Sequence, residues 1–214
     1  MKRRQGDLDL NLRKRGESDD EAIHDGLYVG RDNPGAVLMG VRISEGLAEP
    51  SWSLKMTVPL EPGIVCNNID NMLKYYVDIL GLKLVADART PPELSRKFGA
   101  TPHGYRIVRL QTPYGERIKL VQPNQDPPKP NPVPEWVYQR HGFAYLTFVI
   151  ANMQEVVKRL KEHGVKLISD GPIEVRPGVF ALYTLDPEGN YVEFVEYPDV
   201  PSYRPDLFKW RQFF

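Results

Sequence analysis

The sequence has few of the features that mark several large classes of protein. Its 214 residues contain one cysteine, Cys66, which excludes an internal disulfide and a cysteine-based metal cluster. No apolar run approaches the roughly 20 residues that a membrane-spanning helix needs. Basic and acidic residues balance at 28 each, so no net charge attracts nucleic acid or an anionic membrane. The basic first residues precede no apolar core, so we expect no signal or transit peptide and a cytoplasmic location.

Composition divides the chain into segments of different character. The first residues are charged and almost free of aromatic side chains, which predicts disorder. Six prolines between Pro123 and Pro134 exclude a helix or an interior strand there and indicate a stiff linker. We predict a disordered tail at 1–25, an extended N-terminal arm at 26–56, modules at 57–122 and 140–199, a proline-rich linker at 123–139, and an aromatic C-terminal tail at 200–214.

The two predicted modules repeat one order of elements. Each has a strand, an amphipathic helix, a second strand and a hairpin, which together form a βαβββ unit. The helices are predicted within NIDNMLKYYVDILG and NMQEVVKRLKEHG, each followed by a strand, LKLVAD and VKLISD. The hairpins are YRIVRLQTPYGERIKLVQP and FALYTLDPEGNYVEFVEYP. The repeat predicts an α+β fold in which two βαβββ modules form one cleft.

Aligning the repeats pairs four polar residues that differ in charge. Matching the helix starts, Asn68 and Asn152, gives an offset of 84 and pairs Glu61 with Tyr145; the hairpins are offset by 74, which pairs Lys119 with Glu193. Alternation along the strands places these side chains on the sheet faces opposite the helices. We therefore expect two carboxylates, an ammonium and a phenol to converge in the cleft, at Glu61, Lys119, Tyr145 and Glu193.

Three segments resemble the vicinal oxygen chelate superfamily, which includes glyoxalase I, methylmalonyl-CoA epimerase, extradiol dioxygenases and bleomycin-resistance proteins. They are GIVCNNIDNMLKYYVDILGLKLV, YLTFVIANMQEVVKRLKEHGVKLI and LDPEGNYVEFVE. The resemblance covers about Thr57 to Pro198 and implies two modules around a cleft, a small-molecule ligand, pairing into homodimers and a divalent metal. The family's four ligand positions, usually His or Glu, fall on Glu61, Lys119, Tyr145 and Glu193, and only the last keeps the usual residue.

Lys119 decides how this site is interpreted. A protonated lysine has no lone pair to give a metal and competes with it for carboxylates. We therefore assign no metal to the site but leave a divalent metal open as an alternative; if one binds, Glu61 and Glu193 are its expected ligands, with Tyr145 and waters. Otherwise Glu193 or Glu61 would act as general base, with Lys119 or Tyr145 stabilising an enolate or donating a proton. The alternative is that the four residues form a hydrogen-bonded network that has no role in catalysis.

Four further residues are candidates for substrate binding. If the TPYG turn pairs Gln111 with Glu116, Arg106 shares the cleft face with Arg117, and both suit a carboxylate or phosphate. Surface ion pairs are the alternative role for these arginines. The histidine candidates are His141, at the cleft rim, and His103, in an inserted loop placed as a lid.

The sequence thus favours one function and leaves two others open. The favoured function is an enzyme of small oxygenated substrates that works by proton transfer, as an isomerase, epimerase, lyase or cyclase. The second is a metal-free small-molecule binding or resistance protein. A metal-dependent dioxygenase is the most distant, because the resemblance would require two histidines and a glutamate. A homodimer is expected, with LFKWRQFF offering an apolar contact surface.

Overall fold

The computed structural model describes residues 52, 54–129, 132–139, 141–205 and 207. The predictions for the tail at 1–25, for residues 26–51 of the arm, and for residues 208–214 of the C-terminal tail concern residues outside this part. None of the helices within it is long and apolar enough to cross a membrane.

The first module is a four-stranded sheet with its helices. The sheet order is β1-β4-β3-β2, with β1 parallel to β4 and the other neighbours antiparallel. The first helix continues without interruption into a π-helical segment, and the second lies in the predicted inserted loop. The elements are β1 (Gly63–Val65), α1 (Ile69–Leu73) with its π-helical continuation (Lys74–Ile79), β2 (Lys83–Thr90), α2 (Pro92–Lys97), β3 (Tyr105–Gln111) and β4 (Arg117–Pro123).

The second module repeats this arrangement with strand order β5-β8-β7-β6. A short 3-10 turn, Val137–Gln139, precedes it in the linker. The elements are β5 (Tyr145–Ile150), α3 (Met153–Glu162), β6 (Ile173–Arg176), β7 (Val179–Leu185), β8 (Tyr191–Glu196) and α4 (Val200–Tyr203). Two matching sheets, each with its helices, confirm the predicted α+β fold of two βαβββ modules.

The strand predicted at VKLISD is misplaced. Within it, only an isolated bridge joins Leu167 to Thr184, and the strand itself begins at Ile173. Between them the chain bends, because the Ser169 hydroxyl donates a hydrogen bond to the Gly171 carbonyl at 2.6 Å. The proline at position 172 then favours extended backbone around it, which places the strand a few residues later.

Both hairpins turn through three residues, and this sets the register of their strands. In TPYGE the Thr112 N–H donates to the Glu116 carbonyl at 2.9 Å, and in DPEGN the Asp186 N–H donates to Asn190 in the same way. Gly115 at φ 112° supplies the positive φ that such a loop needs. The predicted pairing of Gln111 with Glu116 is therefore wrong: Gln111 pairs with Arg117.

The two modules share one hydrophobic core. It is built by the helix-facing side chains of both sheets, such as Leu110 and Leu120 from the first and Val192 and Phe194 from the second, together with the helices between them. Four of the largest wholly buried side chains, Met72, Tyr76, Leu160 and Leu182, come from both modules. Each sheet thus buries its helix-facing side in this core.

Polar contacts also join the modules. The Glu188 carboxylate, in the turn between β7 and β8, accepts hydrogen bonds from the N–H groups of Asn67 (3.0 Å) and Asn68 (2.8 Å), where α1 begins. The Tyr76 hydroxyl donates to the buried Asp186 carboxylate at 3.1 Å. An anionic group at a helix start satisfies donors that lack partners within the helix. The second hairpin therefore completes the first helix.

Candidate functional site

In the first module, Glu61 and Lys119 form an ion pair. The Lys119 Nζ lies 3.9 Å from a Glu61 carboxylate oxygen, and the two side chains are 31% and 25% exposed. The backbone N–H of Lys119 donates to the Pro62 carbonyl at 2.9 Å, which fixes β4 beside the segment that carries Glu61. At 3.9 Å the two groups attract each other without a hydrogen bond.

Further basic side chains surround this pair. Arg109 on β3 is the direct partner of Lys119 on β4, so both side chains lie on the same sheet face. Arg117, two residues before Lys119, lies on that face as well and donates to the Gln111 side chain at 2.9 Å. Lys83 on β2 pairs with Gln111. We call this side of the sheet, with Lys83, Arg109, Arg117 and Lys119, the basic face.

In the second module, the register places Glu193 between two hydroxyl groups. Thr147 on β5 and Tyr183 on β7 are its direct partners. The Thr147 hydroxyl donates to the Glu193 carboxylate at 2.6 Å. Burial, followed by hydrogen bonds with Tyr138 and Glu193, raises the pKa of Tyr183 far above its ordinary value. Tyr183 therefore stays a protonated donor at neutral and moderately alkaline pH.

Tyr145 belongs to the same group of aromatic side chains. Its ring centroid lies 5.4 Å from that of Tyr183 and 6.2 Å from that of Tyr138. The hydroxyls of Tyr138 and Tyr183 are 3.3 Å apart. A hydrogen bond with Tyr138 and then burial raise the pKa of Tyr145. We call Tyr138, Tyr145 and Tyr183, gathered at Glu193, the phenol cluster.

In the structure, the four predicted catalytic residues form two separate groups. Contacts join Glu61 to Lys119, and Glu193 to the phenol cluster that contains Tyr145. Among the described residues, no hydrogen bond or ion pair links one group to the other. The modules meet through the helix-facing sides of their sheets, whereas these residues lie on the other sides. Convergence of all four in one cleft therefore stays a prediction.

One cavity touches both modules. Its volume is about 1020 Å³, and it is lined by residues of β5, α3, the first hairpin and α4. Arg117 from the basic face and Thr147, which donates to Glu193, both line it. None of the four predicted catalytic residues is part of its lining.

Arg106 does not lie on the cleft face. Because Gln111 pairs with Arg117, Arg106 falls on the helix-facing side of β3, with Val108 and Leu110. Its guanidinium donates to Asp87 at 3.0 and 2.8 Å and to Asp70 at 2.9 Å. These hydrogen bonds lower the pKa of Asp87. The predicted cleft-face placement of Arg106 is therefore wrong: Arg106 makes surface ion pairs, the alternative role, and Arg109 takes the cleft-face position.

Neither candidate histidine contacts the four predicted residues. His103 Nε2 lies 3.5 Å from an Asp126 carboxylate oxygen, and its backbone carbonyl accepts from the Asn124 side chain. These contacts tie the inserted loop to the start of the linker. His141 is exposed. Their proposed roles at the cleft remain untested predictions.

The residues at the family's metal positions do not fit a divalent metal. Glu61 already faces a cation, Lys119, and the Glu193 carboxylate is engaged by Thr147 and Tyr183. In the part of the chain that the structure describes, no group of three or more His, Cys, Asp or Glu side chains is placed to hold a metal ion. A metal site needs such donors close together.

Sequence reasoning missed Arg109 and Tyr183, which occupy equivalent positions in the two modules. Arg109 faces Lys119, and Tyr183 faces Glu193. The signal was present in the turns: TPYG and DPEG each carry glycine as the third of three loop residues, the pattern of a three-residue hairpin loop. That loop length gives the observed register.

Known proteins share this fold. A glyoxalase family protein from Bacillus cereus superposes with a TM-score of 0.57 at 23% identity, covering 67% of this chain and 95% of its own. A glyoxalase/dioxygenase from Nostoc punctiforme has a TM-score of 0.50 at 21% identity, covering 73% and 100%. The trypanothione-dependent glyoxalase I of Leishmania major has a TM-score of 0.50 at 18% identity, covering 72% and 97%.

A search among curated proteins finds no match to this chain. Residues 55–194 match the family described as Glyoxalase/Bleomycin resistance protein/Dioxygenase superfamily, a span that covers the first module and the second as far as β8. The order of elements, the sheet topology and the family match agree. The chain belongs to the glyoxalase/bleomycin resistance protein/dioxygenase superfamily.

Proposed function

We propose that the protein is an enzyme that moves a proton on a small oxygenated substrate, with Glu193 as the general base. One observation carries the proposal. Glu193 lies at the centre of its sheet face, held by the Thr147 hydroxyl at 2.6 Å and surrounded by phenols whose pKa values are raised. A positioned carboxylate beside protonated donors is the arrangement that general acid/base catalysis requires.

The proposed step removes a proton from a carbon next to a carbonyl group. The Glu193 carboxylate takes the proton, and the electrons of the broken C–H bond move to the carbonyl oxygen. As Glu193 becomes protonated, the Tyr183 O–H turns from its carboxylate to this developing oxyanion, which the Tyr145 O–H also bonds. Return of the proton to the other face, or to another atom, gives epimerisation or isomerisation. Loss of a leaving group instead gives the product of a lyase.

No step of the proposed reaction involves a metal. Superfamily members commonly hold a divalent cation, but the donor set here does not fit one. Lys119 occupies a position where the family usually has a metal ligand. Its ammonium group lies 3.9 Å from the Glu61 carboxylate. We assign this pair to substrate binding, because no described contact connects it with Glu193. Homodimerisation and a cytoplasmic location stay predictions of the sequence.

Exchange of substrate protons with heavy water tests the proposal. A panel of 2-oxo acids, hydroxyketones and acyl thioesters is incubated in D₂O with substoichiometric protein, and loss of α-proton signals is followed by NMR. We expect at least one class to exchange, and Glu193→Gln to slow that exchange by roughly 100- to 10,000-fold. Glu162→Gln, an exposed charge in a surface ion pair on α3, is the matched control.

Two outcomes would overturn the assignment. Exchange that is equally fast in Glu193→Gln and in the parent would remove Glu193 from the chemistry. Equal losses in Glu193→Gln and Glu162→Gln would trace the effect to charge or folding. Melting temperatures of both variants, compared with the parent, establish that the fold is unchanged.

The second candidate is a binding protein that performs no reaction. It is favoured by Tyr138, the exposed member of the phenol cluster, and by the exposed Trp136 in the same linker. Aromatic faces bind planar ligands by stacking. Saturable, stoichiometric ligand binding without turnover would support this function over the enzyme.

A further inference from the structure

We propose that the basic face of the first module binds an anionic group, a phosphate or a carboxylate, with Arg109 and Lys119 as its principal contacts. Treating that anion as part of the substrate rests on the proposed function; the binding site itself does not. The inference follows from the observed register, which places Arg109 opposite Lys119.

The charge on this face is largely uncompensated. Four basic side chains, Lys83, Arg109, Arg117 and Lys119, share one side of the sheet, and the carboxylate paired with them is that of Glu61. Lys119 approaches it only to 3.9 Å. Arg109 makes no hydrogen bond or ion pair with any described residue. Two cations directly opposite on neighbouring strands repel each other, so an anion between them would stabilise the face.

Arg106, in the same strand, provides a comparison, because its guanidinium is paired with carboxylates. It faces the other side of β3 and uses its guanidinium on two carboxylates, Asp70 and Asp87. Arg109 has the same chemistry but no such partners among the residues described. Its planar fork remains available to bind two oxygens of a phosphate or carboxylate at once.

The surroundings suit a small molecule with an apolar part. Next to the pair of Arg109 and Lys119 on this face lies the pair of Ile107 and Val121. Val65, on the neighbouring strand β1, is the direct partner of Val121 on its other side. Ile107 and Val121 are half-buried, whereas Val65 is exposed. The anionic group of the ligand would contact Arg109 and Lys119, and the ligand's carbon skeleton would pack along Val121 and Val65.

The fold does not require cations at these positions. In the second module the residues equivalent to Arg109, Lys119 and Arg117 are Tyr183, Glu193 and Tyr191. Equivalent strand positions therefore carry a basic face in one module and a carboxylate with phenols in the other. The difference lies in the chemistry of each face and not in its architecture.

Titration of the full chain with inorganic phosphate at low ionic strength, followed by amide NMR shifts, tests the inference. We expect saturable shifts at β3 and β4, and a loss of affinity of about tenfold in Arg109→Gln and in Lys119→Gln. Arg89→Gln is the control. Arg89 is exposed on β2 and pairs with Arg106, which places it on the opposite side of the sheet. Arg109→Lys, which keeps the charge, replaces Arg109→Gln if that variant does not fold.

A second arm uses malonate in place of phosphate. Tighter binding of phosphate would assign a phosphate ester, and tighter binding of malonate a carboxylate; either supports the site. Absence of saturable shifts with both probes, or an equal loss in Arg89→Gln, would overturn it. Saturable phosphate binding by the parent, without proton exchange on any substrate of the panel, would refute the proposed function and leave this site standing.

Discussion

At the residue scale, equivalent positions carry opposite chemistry. Lys119 and Glu193 each lie on the last strand of a module, at the centre of the face away from the helices. Lys119 has a cation opposite it and a carboxylate at 3.9 Å, whereas Glu193 has a threonine hydroxyl at 2.6 Å and a phenol. The first environment suits binding an anion, and the second suits holding a base beside proton donors.

Tyr183→Phe tests the donor role of the phenol cluster. The phenylalanine keeps the ring and removes the hydroxyl that bonds Glu193 and Tyr138. We expect proton exchange to slow by roughly tenfold or more, since one oxyanion donor is lost. In the parent, the raised pKa values of Tyr183 and Tyr145 keep both phenols protonated, so the rate should not fall up to about pH 10, the ordinary tyrosine pKa. The pH–rate profile measures this.

A fall in the parent rate well below that pH, absent from Tyr183→Phe, would show that the phenol ionises early. That result would contradict the raised pKa and the role as donor. An unchanged rate in Tyr183→Phe would place the phenol outside the chemistry. Circular dichroism of the variant provides the folding control.

At the element scale, the hairpin turns decide which residues reach the site. Apolar periodicity was enough to predict the long helix of each module, both hairpins and the repeat, but not the short helices α2 and α4. The register was not predicted correctly, because one residue more in the loop moves every side chain to the other face. As a result, the prediction placed Arg106 on the cleft face, where the structure has Arg109. The strand after α3 was misplaced because a local turn at Ser169–Gly171 overrides its apolar pattern.

The glycines of the two turns should differ in their tolerance of substitution. Both have positive φ, 112° at Gly115 and 79° at Gly189. A Cβ on Gly115 would meet no atom within 4 Å, whereas one on Gly189 would lie 2.7 Å from a Val133 methyl. We expect Gly115→Ala to lower the free energy of unfolding by roughly 1–2 kcal/mol from backbone strain alone, and Gly189→Ala to lower it further.

Urea denaturation of the two variants measures the difference. Adding Val133→Ala to Gly189→Ala should recover part of the additional loss, because the shorter side chain removes the methyl in the way. Equal losses in Gly115→Ala and Gly189→Ala would show that the linker does not pack on the second turn as described.

At the scale of the whole molecule, the modules are tied by buried phenols and carboxylates. Tyr75 bonds Thr184 at 2.9 Å and Tyr76 bonds Asp186 at 3.1 Å, across the shared core. Convergence of four residues in one cleft could not be tested from the sequence, because alternation along a strand gives only the face of a side chain. How two modules pack depends on which of their surfaces bury each other, and here those are the helix-facing sides.

Alkaline pH should destabilise this core. Burial raises the pKa of Tyr75 and of Tyr76 above the ordinary value, so the folded protein keeps these protons where the unfolded chain loses them. The folded state then binds more protons, and the free energy of unfolding falls as pH rises beyond about 10, the pKa of an unfolded tyrosine. Urea denaturation at several pH values measures the slope. Tyr75→Phe should reduce it, and an unchanged slope in that variant would contradict the linkage.

The most direct test of metal-independent proton transfer at Glu193 is the D₂O exchange rate of a responsive substrate before and after the full chain is treated with a chelator. We expect the same rate in both samples, and its loss in Glu193→Gln. A rate that disappears with the chelator and returns with added Mn²⁺, Fe²⁺, Ni²⁺ or Zn²⁺ would contradict this expectation.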